Sequence, residues 1–212
     1  VGKQPAGDNA IRCAYLTNHA TLSGFTLTQG ATQIFDDPFG GGVFCESTGE
    51  TVSNCVITLN LAIYGAGASG GTLNNCVISS NQTTYFYYYG SGAGASGGTL
   101  NNCLLFDNQA VRSGGGAEGC TLNNCTVVNN LAVDHWGQGG TGWGANYCEL
   151  NNSIVYYNGD DVENSVANYT CAGNVPPGLG NFNDIPSFLN WTNYDYHLQT
   201  NSPCINSGNN SM

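Results

Sequence analysis

The chain contains 212 residues and carries a net charge of −11, because only Lys3, Arg12 and Arg112 stand against 14 acidic side chains. Such a charge repels phosphate backbones and anionic lipids, so we predict that the protein binds neither nucleic acid nor a membrane surface. No apolar run approaches the roughly 20 residues that a membrane-spanning helix requires, so we also predict no membrane insertion.

The cysteine content indicates where the protein works. Ten cysteines, few charges and many small polar residues favour an oxidising environment. We therefore expect an extracellular or cell-surface location. Because no signal peptide stands at Val1, we expect the chain to be a mature piece whose targeting segments have been removed.

A repeated sequence unit begins near residue 13 and organises the chain. Its clearest copy is Thr72-Leu73-Asn74-Asn75-Cys76, followed by two aliphatic residues and then by Asn81. Further copies open at Thr51, Thr99, Thr121 and Glu149, and a looser copy opens at Thr21, which gives spacings of 30, 21, 27, 22 and 28 residues. A recurring unit of this length is typical of a solenoid.

The unit predicts short strands. The side chains alternate at a period of two, with Leu73 in and Asn74 out, then Cys76 in, Val77 out and Ile78 in, and Asn75 interrupts the alternation where a left-handed bend favours asparagine. This pattern predicts an all-β fold, a single right-handed parallel β-helix of about six or more coils stacked about 4.8 Å apart. We assign residues 1–158 to the repeats and residues 159–212 to an irregular C-terminal closing segment of the same domain.

Stacking of the coils predicts columns of like residues. The cysteines that follow the Asn-Asn or Ser-Asn step of these units point inward among aliphatic residues, so we interpret them as a packed core column and not as a metal ladder. These cysteines are Cys55, Cys76, Cys103 and Cys125. A second column lies at a turn, where side-chain amides can hydrogen-bond along the stack. Its members are Asn60, Asn81, Asn108, Asn130 and Asn158.

Two further cysteine pairs are candidates for disulfide bonds. Cys120 and Cys148 each precede the opening residue of a unit, and the two units are adjacent. The stack therefore places them side by side, at a separation between α-carbons that a disulfide tolerates. Cys171 and Cys204 form the second candidate pair, which would join the two ends of the closing segment.

The closing segment carries three short motifs, which are Asp184-x-Pro186-x-Phe188, Tyr196-x-Leu198 and Ser202-Pro203-Cys204-Ile205-Asn206-x-Gly208. Together with the Asn-Asn-Cys repeats, these motifs resemble secreted bacterial β-helix proteins of the pectate-lyase-like superfamily, particularly large surface proteins that end in a cell-anchoring region. The resemblance covers most of residues 13–208. It implies the fold and an extracellular setting, but the group shares no single chemistry.

The sequence favours a non-catalytic protein over an enzyme. The lyases of this superfamily need a basic residue beside acids that hold Ca²⁺, and the repeats offer only Arg112 near Asp107 and Glu118, which a surface ion pair explains equally well. Its hydrolases use acids on neighbouring strands. The aspartate pairs 36–37 and 160–161 lie far apart and suit solvated turns. We predict no catalytic residue, no metal site and no cofactor, with a weak Ca²⁺ site at the acid pairs left open.

Two aromatic inserts are the most informative surface features. One is a run of five aromatic residues, which cannot all be buried because neighbouring strand residues face opposite ways. The run consists of Tyr85, Phe86, Tyr87, Tyr88 and Tyr89. The other insert contains His135, Trp136 and Trp143, with no serine or cysteine placed for a catalytic triad. Exposed Tyr and Trp serve protein interfaces and sugar stacking alike.

Two functional hypotheses follow from these features. The first is a non-catalytic extracellular structural or adhesive rod that forms homo-oligomers or filaments through its aromatic inserts and uncovered coil ends. A first coil that starts near residue 13 without a preceding cap favours this hypothesis. The second is a carbohydrate-active domain that binds or cleaves an acidic polysaccharide along the rod, which the exposed Tyr and Trp residues favour.

Overall fold

The computed structural model describes residues 10–32, 37–84, 90–134 and 139–210. Within these ranges the chain forms short parallel strands that stack into a β-solenoid, followed by a separate antiparallel hairpin. The helical structure there is a single 3₁₀ turn at Trp191–Asn193. The predicted all-β parallel solenoid with a distinct closing segment is confirmed.

Three parallel sheets of seven strands form the walls of the solenoid, and a coil is one passage through them. Sheet 1 contains β1 (Ala14–Leu16), β4 (Val43–Cys45), β8 (Ala68–Ser69), β12 (Ala95–Ser96), β16 (Ala117–Glu118), β20 (Ala145–Asn146) and β23 (Val162–Glu163). Sheet 2 contains β2 (Thr21–Ser23), β5 (Thr51–Ser53), β9 (Thr72–Asn74), β13 (Thr99–Asn101), β17 (Thr121–Asn123), β21 (Glu149–Asn151) and β24 (Val166–Asn168).

Sheet 3 follows sheet 2 in every coil, and a shorter sheet follows it in the middle coils. Sheet 3 contains β3 (Thr26–Thr28), β6 (Val56–Thr58), β10 (Val77–Ser79), β14 (Leu104–Phe106), β18 (Thr126–Val128), β22 (Ile154–Tyr156) and β25 (Cys171–Ala172). Sheet 4 contains β7 (Leu61–Ala62), β11 (Gln82–Thr83), β15 (Gln109–Ala110) and β19 (Leu131–Ala132). The antiparallel hairpin pairs β26 (Phe188–Asn190) with β27 (Asp195–Leu198).

The opening residues of the repeat units stack in register along sheet 2. The paired residues are Thr21, Thr51, Thr72, Thr99, Thr121 and Glu149. The stack then continues to Val166, so the solenoid extends past Asn158, where the repeat pattern placed its end, and reaches Ala172. The last coil lacks the sequence pattern because it is short and because Ser165 and Thr170 replace the cysteines of earlier coils.

In five coils, an asparagine that follows Asn or Ser at the end of the sheet 2 strand makes the corner between sheets 2 and 3. These residues have φ angles of 51–54°, and they are Asn54, Asn75, Asn102, Asn124 and Asn152. Asparagine tolerates this left-handed conformation better than most residues. The bend turns the following side chain inward, so Cys76 joins Leu73 and Ile78 in the core, where all three are at most 1% exposed.

Residues 174–184 lie across the last coil and pair with its backbone edge. The amide of Ala167 donates to the carbonyl of Pro177 at 3.0 Å. The side-chain oxygen of Asn181 accepts from the amide of Thr170 at 3.0 Å. The chain therefore covers the C-terminal end of its own solenoid, which removes an edge that another strand would otherwise pair with.

The hairpin folds back onto the outer face of sheet 3. The ring of Phe106 lies 5.4 Å from that of Tyr194 and 5.6 Å from that of Tyr196, measured between ring centroids. Trp191 stacks on Tyr157 with centroids 4.8 Å apart and ring planes 10° from parallel. Aromatic contacts therefore hold the hairpin along the later coils of sheet 3.

Candidate functional site

A buried asparagine ladder runs along the corner that follows sheet 3. The side-chain oxygen of each later member accepts two hydrogen bonds of 2.9–3.0 Å, one from the backbone amide and one from the side-chain amide of the member one coil earlier. The members are Asn60, Asn81, Asn108, Asn130 and Asn158, each at most 2% exposed. The ladder holds this corner rigid, so residues beside it project outward at the spacing of the coils.

Two outward columns flank the ladder. The residue before each ladder asparagine has a left-handed backbone with φ of 54–61°, and these residues are Leu59, Ser80, Asp107, Asn129 and Tyr157. The residue after the ladder asparagine starts a strand of sheet 4 in four coils, at Leu61, Gln82, Gln109 and Leu131. In the next coil Gly159 follows the ladder residue Asn158 and starts no strand.

Sheet 4 ends at β19, whereas each of the other three sheets continues for two more strands. This difference leaves a step beside Leu131. Trp143 stands at the step, in the position that Gly115 fills one coil earlier. Its indole packs against the small buried cluster of Ala93, Ala110 and Ala132. A large ring thus takes the place of a glycine at the point where a sheet stops.

The step forms a groove with a volume of about 470 Å³, which lies in the size range of small-ligand sites. The aromatic rings of Trp143 and Tyr157 line it together with the polar side chains of Asp107, Gln109 and Asn129. Its remaining lining residues are Leu131, Gly159 and the ladder residues Asn108, Asn130 and Asn158. The groove therefore combines two aromatic surfaces with a few hydrogen-bonding groups.

Asp107 is the one carboxylate among the described residues that line the groove. It accepts a hydrogen bond from the side-chain amide of Asn129. The hydroxyl of Tyr194 also bonds to it, and this bond raises the pKa of Tyr194. These contacts from a neighbouring coil and from the hairpin fix the carboxylate as a hydrogen-bond acceptor at the groove.

A second concavity of about 300 Å³ lies between the hairpin and sheet 3. Leu104, Thr126, Tyr194 and Tyr196 contribute to its lining. Burial raises the pKa of Tyr196. Because Tyr194 lines this concavity and bonds to Asp107 of the larger groove, the two depressions meet at this pair of residues.

The cysteines predicted as a core column lie in the interior. Cys55, Cys76, Cys103 and Cys125 are at most 2% exposed and belong to the main hydrophobic cluster. Cys76, Cys103 and Cys125 are hydrogen-bonded in sequence along the stack, and the bond that Cys103 donates to Cys125, together with burial, raises the pKa of Cys103 to about 12. Such thiols pack as small apolar groups and are poor nucleophiles.

All ten cysteines are free thiols in this structure, including both pairs that we predicted as disulfides. Cys120 and Cys148 precede paired residues of adjacent strands, and the amide of Cys120 donates to the sulfur of Cys148 at 3.5 Å. In-register parallel neighbours hold their β-carbons about 4.8 Å apart, wider than the roughly 3.8 Å typical of a disulfide. The side chains of Cys171 and Cys204 are in contact through a hydrogen bond and are not covalently linked. Both pairings remain predictions.

The structure describes only part of the two aromatic inserts. Tyr85, Phe86, Tyr87, Tyr88 and Tyr89 lie outside the described residues, as do His135 and Trp136. Trp143 is described, is half-buried, and lines the groove. The insert that holds His135 leads directly from β19 to Trp143, so it begins and ends beside the groove.

The acids and bases weighed for catalysis do not converge in the described structure. Arg112 is exposed and is not among the described residues that line the groove. Glu118 is half-buried, which raises its pKa, and it accepts from the side-chain amide of Asn146 at 3.1 Å. Asp160 accepts from the amide of Gly142 at 2.7 Å. Asp37 pairs with Arg12, and position 36 lies outside the described residues.

The sequence analysis named Trp143, Asp107 and the ladder asparagines but did not predict that they share a groove with Asn129 and Tyr157. Asp107, Asn129 and Tyr157 share one signal, because each directly precedes a ladder asparagine and must therefore stack at the same corner. Trp191 gives no such signal, since the hairpin that places it on Tyr157 lies outside the repeat.

Within the described ranges, no three His, Cys, Asp or Glu side chains are grouped to hold a metal ion. No helix in the described part of the chain is long and apolar enough to cross a membrane. No family model matches the chain, and no curated protein or solved structure matches it.

Proposed function

We propose that the protein is an extracellular, non-catalytic β-solenoid that binds a neutral glycan in the groove beside Leu131. The observation that carries this proposal is the presence of two aromatic rings, Trp143 and Tyr157, in one groove with Asp107, Gln109 and Asn129. Sugar rings combine apolar C–H faces with a rim of hydroxyl groups. Aromatic rings suit the faces, while carboxylate and amide groups suit the hydroxyls.

The two rings are held before any ligand arrives. The indole N–H of Trp143 donates to the carbonyl of Gly140 at 3.1 Å. Tyr157 is held by the stacked ring of Trp191 on one side and by an edge contact with Tyr156, whose centroid lies 4.9 Å away. Groups that are already fixed lose little conformational entropy on binding, which favours affinity.

Charge favours a neutral ligand and binding without cleavage. The net charge of −11 and the carboxylate of Asp107 both repel a uronic acid. Glycoside hydrolysis commonly uses two carboxyl groups about 5 to 9.5 Å apart. The described lining of the groove supplies one carboxylate, which supports recognition of the sugar as its role.

The extracellular setting and a place in the pectate-lyase-like superfamily are parts of the same proposal. The Asn-Asn-Cys repeats and the closing motifs around Pro186 and Pro203 support them through their resemblance to secreted bacterial proteins. The ten cysteines and the scarcity of charge support a location outside the cell.

The test is calorimetric titration of the full chain with neutral oligosaccharides and with uronate oligosaccharides. We expect neutral sugars to bind, and we expect Tyr157→Asn to weaken that binding roughly 3- to 10-fold through the lost stacking contact. Asparagine suits the left-handed backbone of this position, as Asn129 shows one coil earlier. The matched control is Tyr147→Asn, because Tyr147 is also left-handed and is 65% exposed at another corner.

Two results would overturn the proposal. One is an absence of binding to every neutral sugar at millimolar concentration. The other is equal binding by the Tyr157→Asn and Tyr147→Asn variants when both are folded. Preferential binding of uronates would instead support the acidic-polysaccharide version of the carbohydrate hypothesis.

Exposed apolar residues on the first coil favour self-association as a second candidate function. Phe25 aligns with the cysteine column but is 56% exposed, and Ile11 is 80% exposed. Because residues 174–184 cover the last coil, an association through the first coil would join two like ends as a pair. Light scattering of the wild type and of Phe25→Ser tests this, and a strictly monomeric wild type at high concentration contradicts it.

A further inference from the structure

Cys171 and Cys204 bring the two parts of the fold into contact. Cys171 lies in β25, the last strand of sheet 3, and is 1% exposed. Cys204 lies 33 positions later in the closing segment and is half-buried. Their side chains are hydrogen-bonded to each other. The sulfur of Cys171 also lies 3.1 Å from the carbonyl oxygen of Asp184.

We propose that Cys171 and Cys204 form a disulfide that fastens the closing segment, with its hairpin, to the end of the solenoid. This pair differs from Cys120 and Cys148, which are only 2% and 3% exposed and precede paired strands of one sheet. The strand and the closing segment approach each other from separate parts of the fold. Their β-carbons are therefore free of the parallel register that disfavours a disulfide between stacked coils.

The reaction is a two-step exchange with a low-molecular-weight disulfide such as oxidised glutathione. The Cys204 thiolate attacks one sulfur of glutathione disulfide, breaks its S–S bond and releases one glutathione thiolate. The Cys171 thiolate then attacks the Cys204 sulfur of the mixed disulfide and releases the second glutathione. The two cysteine protons end on the two glutathione thiols, so the protein pair is oxidised and glutathione disulfide is reduced.

The order of attack follows from exposure and hydrogen bonding. Cys204 is the more accessible thiol, and the hydrogen bond from Cys171 lowers its pKa. Cys171 is buried, and its pKa is raised by the same contact and by burial. Thiolate character and access together select Cys204 as the first nucleophile. This leaves Cys171 as the resolving thiol.

The cross-link would act on the hairpin that carries Trp191. The hairpin is otherwise held by side-chain contacts such as the stack of Trp191 on Tyr157 and by hydrogen bonds between Asn152 and Asn209. A disulfide removes conformations in which the segment has left the solenoid. The inference does not depend on the glycan proposal, because it concerns attachment of the segment whatever the groove binds.

The experiment equilibrates the folded full chain with reduced or oxidised glutathione, traps free thiols by alkylation, and maps peptides by mass spectrometry. We expect a Cys171–Cys204 peptide pair that has lost two hydrogen atoms, while Cys120 and Cys148 are alkylated only after unfolding. Free Cys171 and Cys204 thiols in excess oxidised glutathione would overturn the proposal. So would a disulfide of Cys204 with any other cysteine.

Hydrogen exchange supplies a second measurement. We expect the amides of Phe188–Leu198 to exchange roughly ten-fold or more slowly in the oxidised protein, because the cross-link suppresses local opening. Cys204→Ser should show the same exchange in both glutathione buffers. Equal exchange of the oxidised and reduced wild type would refute the proposed fastening. If Cys204→Ser fails to fold, the comparison of oxidised and reduced wild type still tests the proposal.

Discussion

Asn158 donates both its backbone amide and its side-chain amide to one carboxylate oxygen of Asp161, at 2.8 and 2.9 Å. In earlier coils these two donors meet the side-chain oxygen of the next ladder asparagine. Asp161, three residues after Asn158, therefore takes the place of a further ladder asparagine and ends the ladder. Its second oxygen accepts from the amide of Gly173 at 3.0 Å, so the acid also ties the ladder to the residues that follow β25.

Asp161→Ala should lower the free energy of unfolding by about 2–4 kcal/mol, because two buried donors on Asn158 and the amide of Gly173 lose their acceptor. Asp161→Asn should have a smaller effect, since its side-chain oxygen can still accept from Asn158. Urea denaturation of the wild type and both variants measures this. A smaller loss for Ala than for Asn would contradict the assignment of Asp161 as the ladder terminus.

Asp161 should also make stability depend on pH. Burial raises its pKa in the folded state above the ordinary value of 3.8, against the hydrogen bonds from Asn158 and Gly173. The folded protein therefore holds this proton more tightly than the unfolded chain, so its contribution to stability falls as pH rises from 3.8 through the raised native value. The stability of wild type minus that of Asp161→Asn should decline across this window and then level off.

The measurement is urea unfolding at stepped pH and constant ionic strength. Asp160→Asn serves as the control for loss of one negative charge, because Asp160 is adjacent and binds the amide of Gly142 instead of the ladder. If the free energy of unfolding of wild type minus that of Asp161→Asn rises with pH over this range, the pKa of Asp161 is lowered and not raised on folding.

The buried asparagine ladder should contribute far more to the free energy of unfolding than the row of hydrogen-bonded asparagines on the outer face of sheet 2. Asn108 is 0% exposed and accepts both amides of Asn81, so Asn108→Ala should cost about 3 kcal/mol or more by leaving those buried donors unpaired. Asn101 also bonds to asparagines in both neighbouring coils, at 2.9 Å, but it lies on the outer face of sheet 2.

Asn101→Ala is therefore the matched control, and it should cost less than about 1 kcal/mol because water replaces the lost partner. Chemical denaturation of both variants gives the comparison. Similar losses in the free energy of unfolding for Asn101→Ala and Asn108→Ala would mean that the number of side-chain hydrogen bonds, and not the burial of their donors, sets the cost of each substitution.

The repeat unit was enough to predict the solenoid, since the period-two alternation and the Asn75 bend act within a few residues. It also placed Asn108 and Asn130 in one column, because identical positions of stacked coils must coincide. The groove needed more information. Its depth depends on where sheet 4 stops after Leu131, and that follows from the length of the next coil and not from any local motif.

Long-range packing explains the other omissions. The sequence offers no reason for Trp191 to stack on Tyr157, because that contact depends on a hairpin turning back across several coils. Coverage of the last coil by residues 174–184 was likewise unforeseen. Ser165 and Thr170 concealed the final coil, since polar residues stand where cysteines mark the earlier ones.

One column of glycines is set by contact between coils. A β-carbon on Gly94 would lie 2.3 Å from the carbonyl oxygen of Gly116, and Gly67 and Gly116 would meet the following coil in the same way at 2.4 and 2.5 Å. The backbone of Gly94 does not need the left-handed region, so the restriction comes from the neighbouring carbonyl. Backbone atoms of a stacked coil cannot move aside without breaking the parallel hydrogen bonds.

Gly94→Ala should therefore cost about 3 kcal/mol or more, as overpacking of a tightly packed interior does at its upper end. Gly97→Ala is the matched control, because a β-carbon there meets nothing within 4 Å and only the φ of 68° resists alanine. That backbone strain should cost about 1–2 kcal/mol. Thermal and urea unfolding of the two variants decide the point, and an equal or smaller loss for Gly94→Ala would show that the coils can separate locally to admit a methyl group.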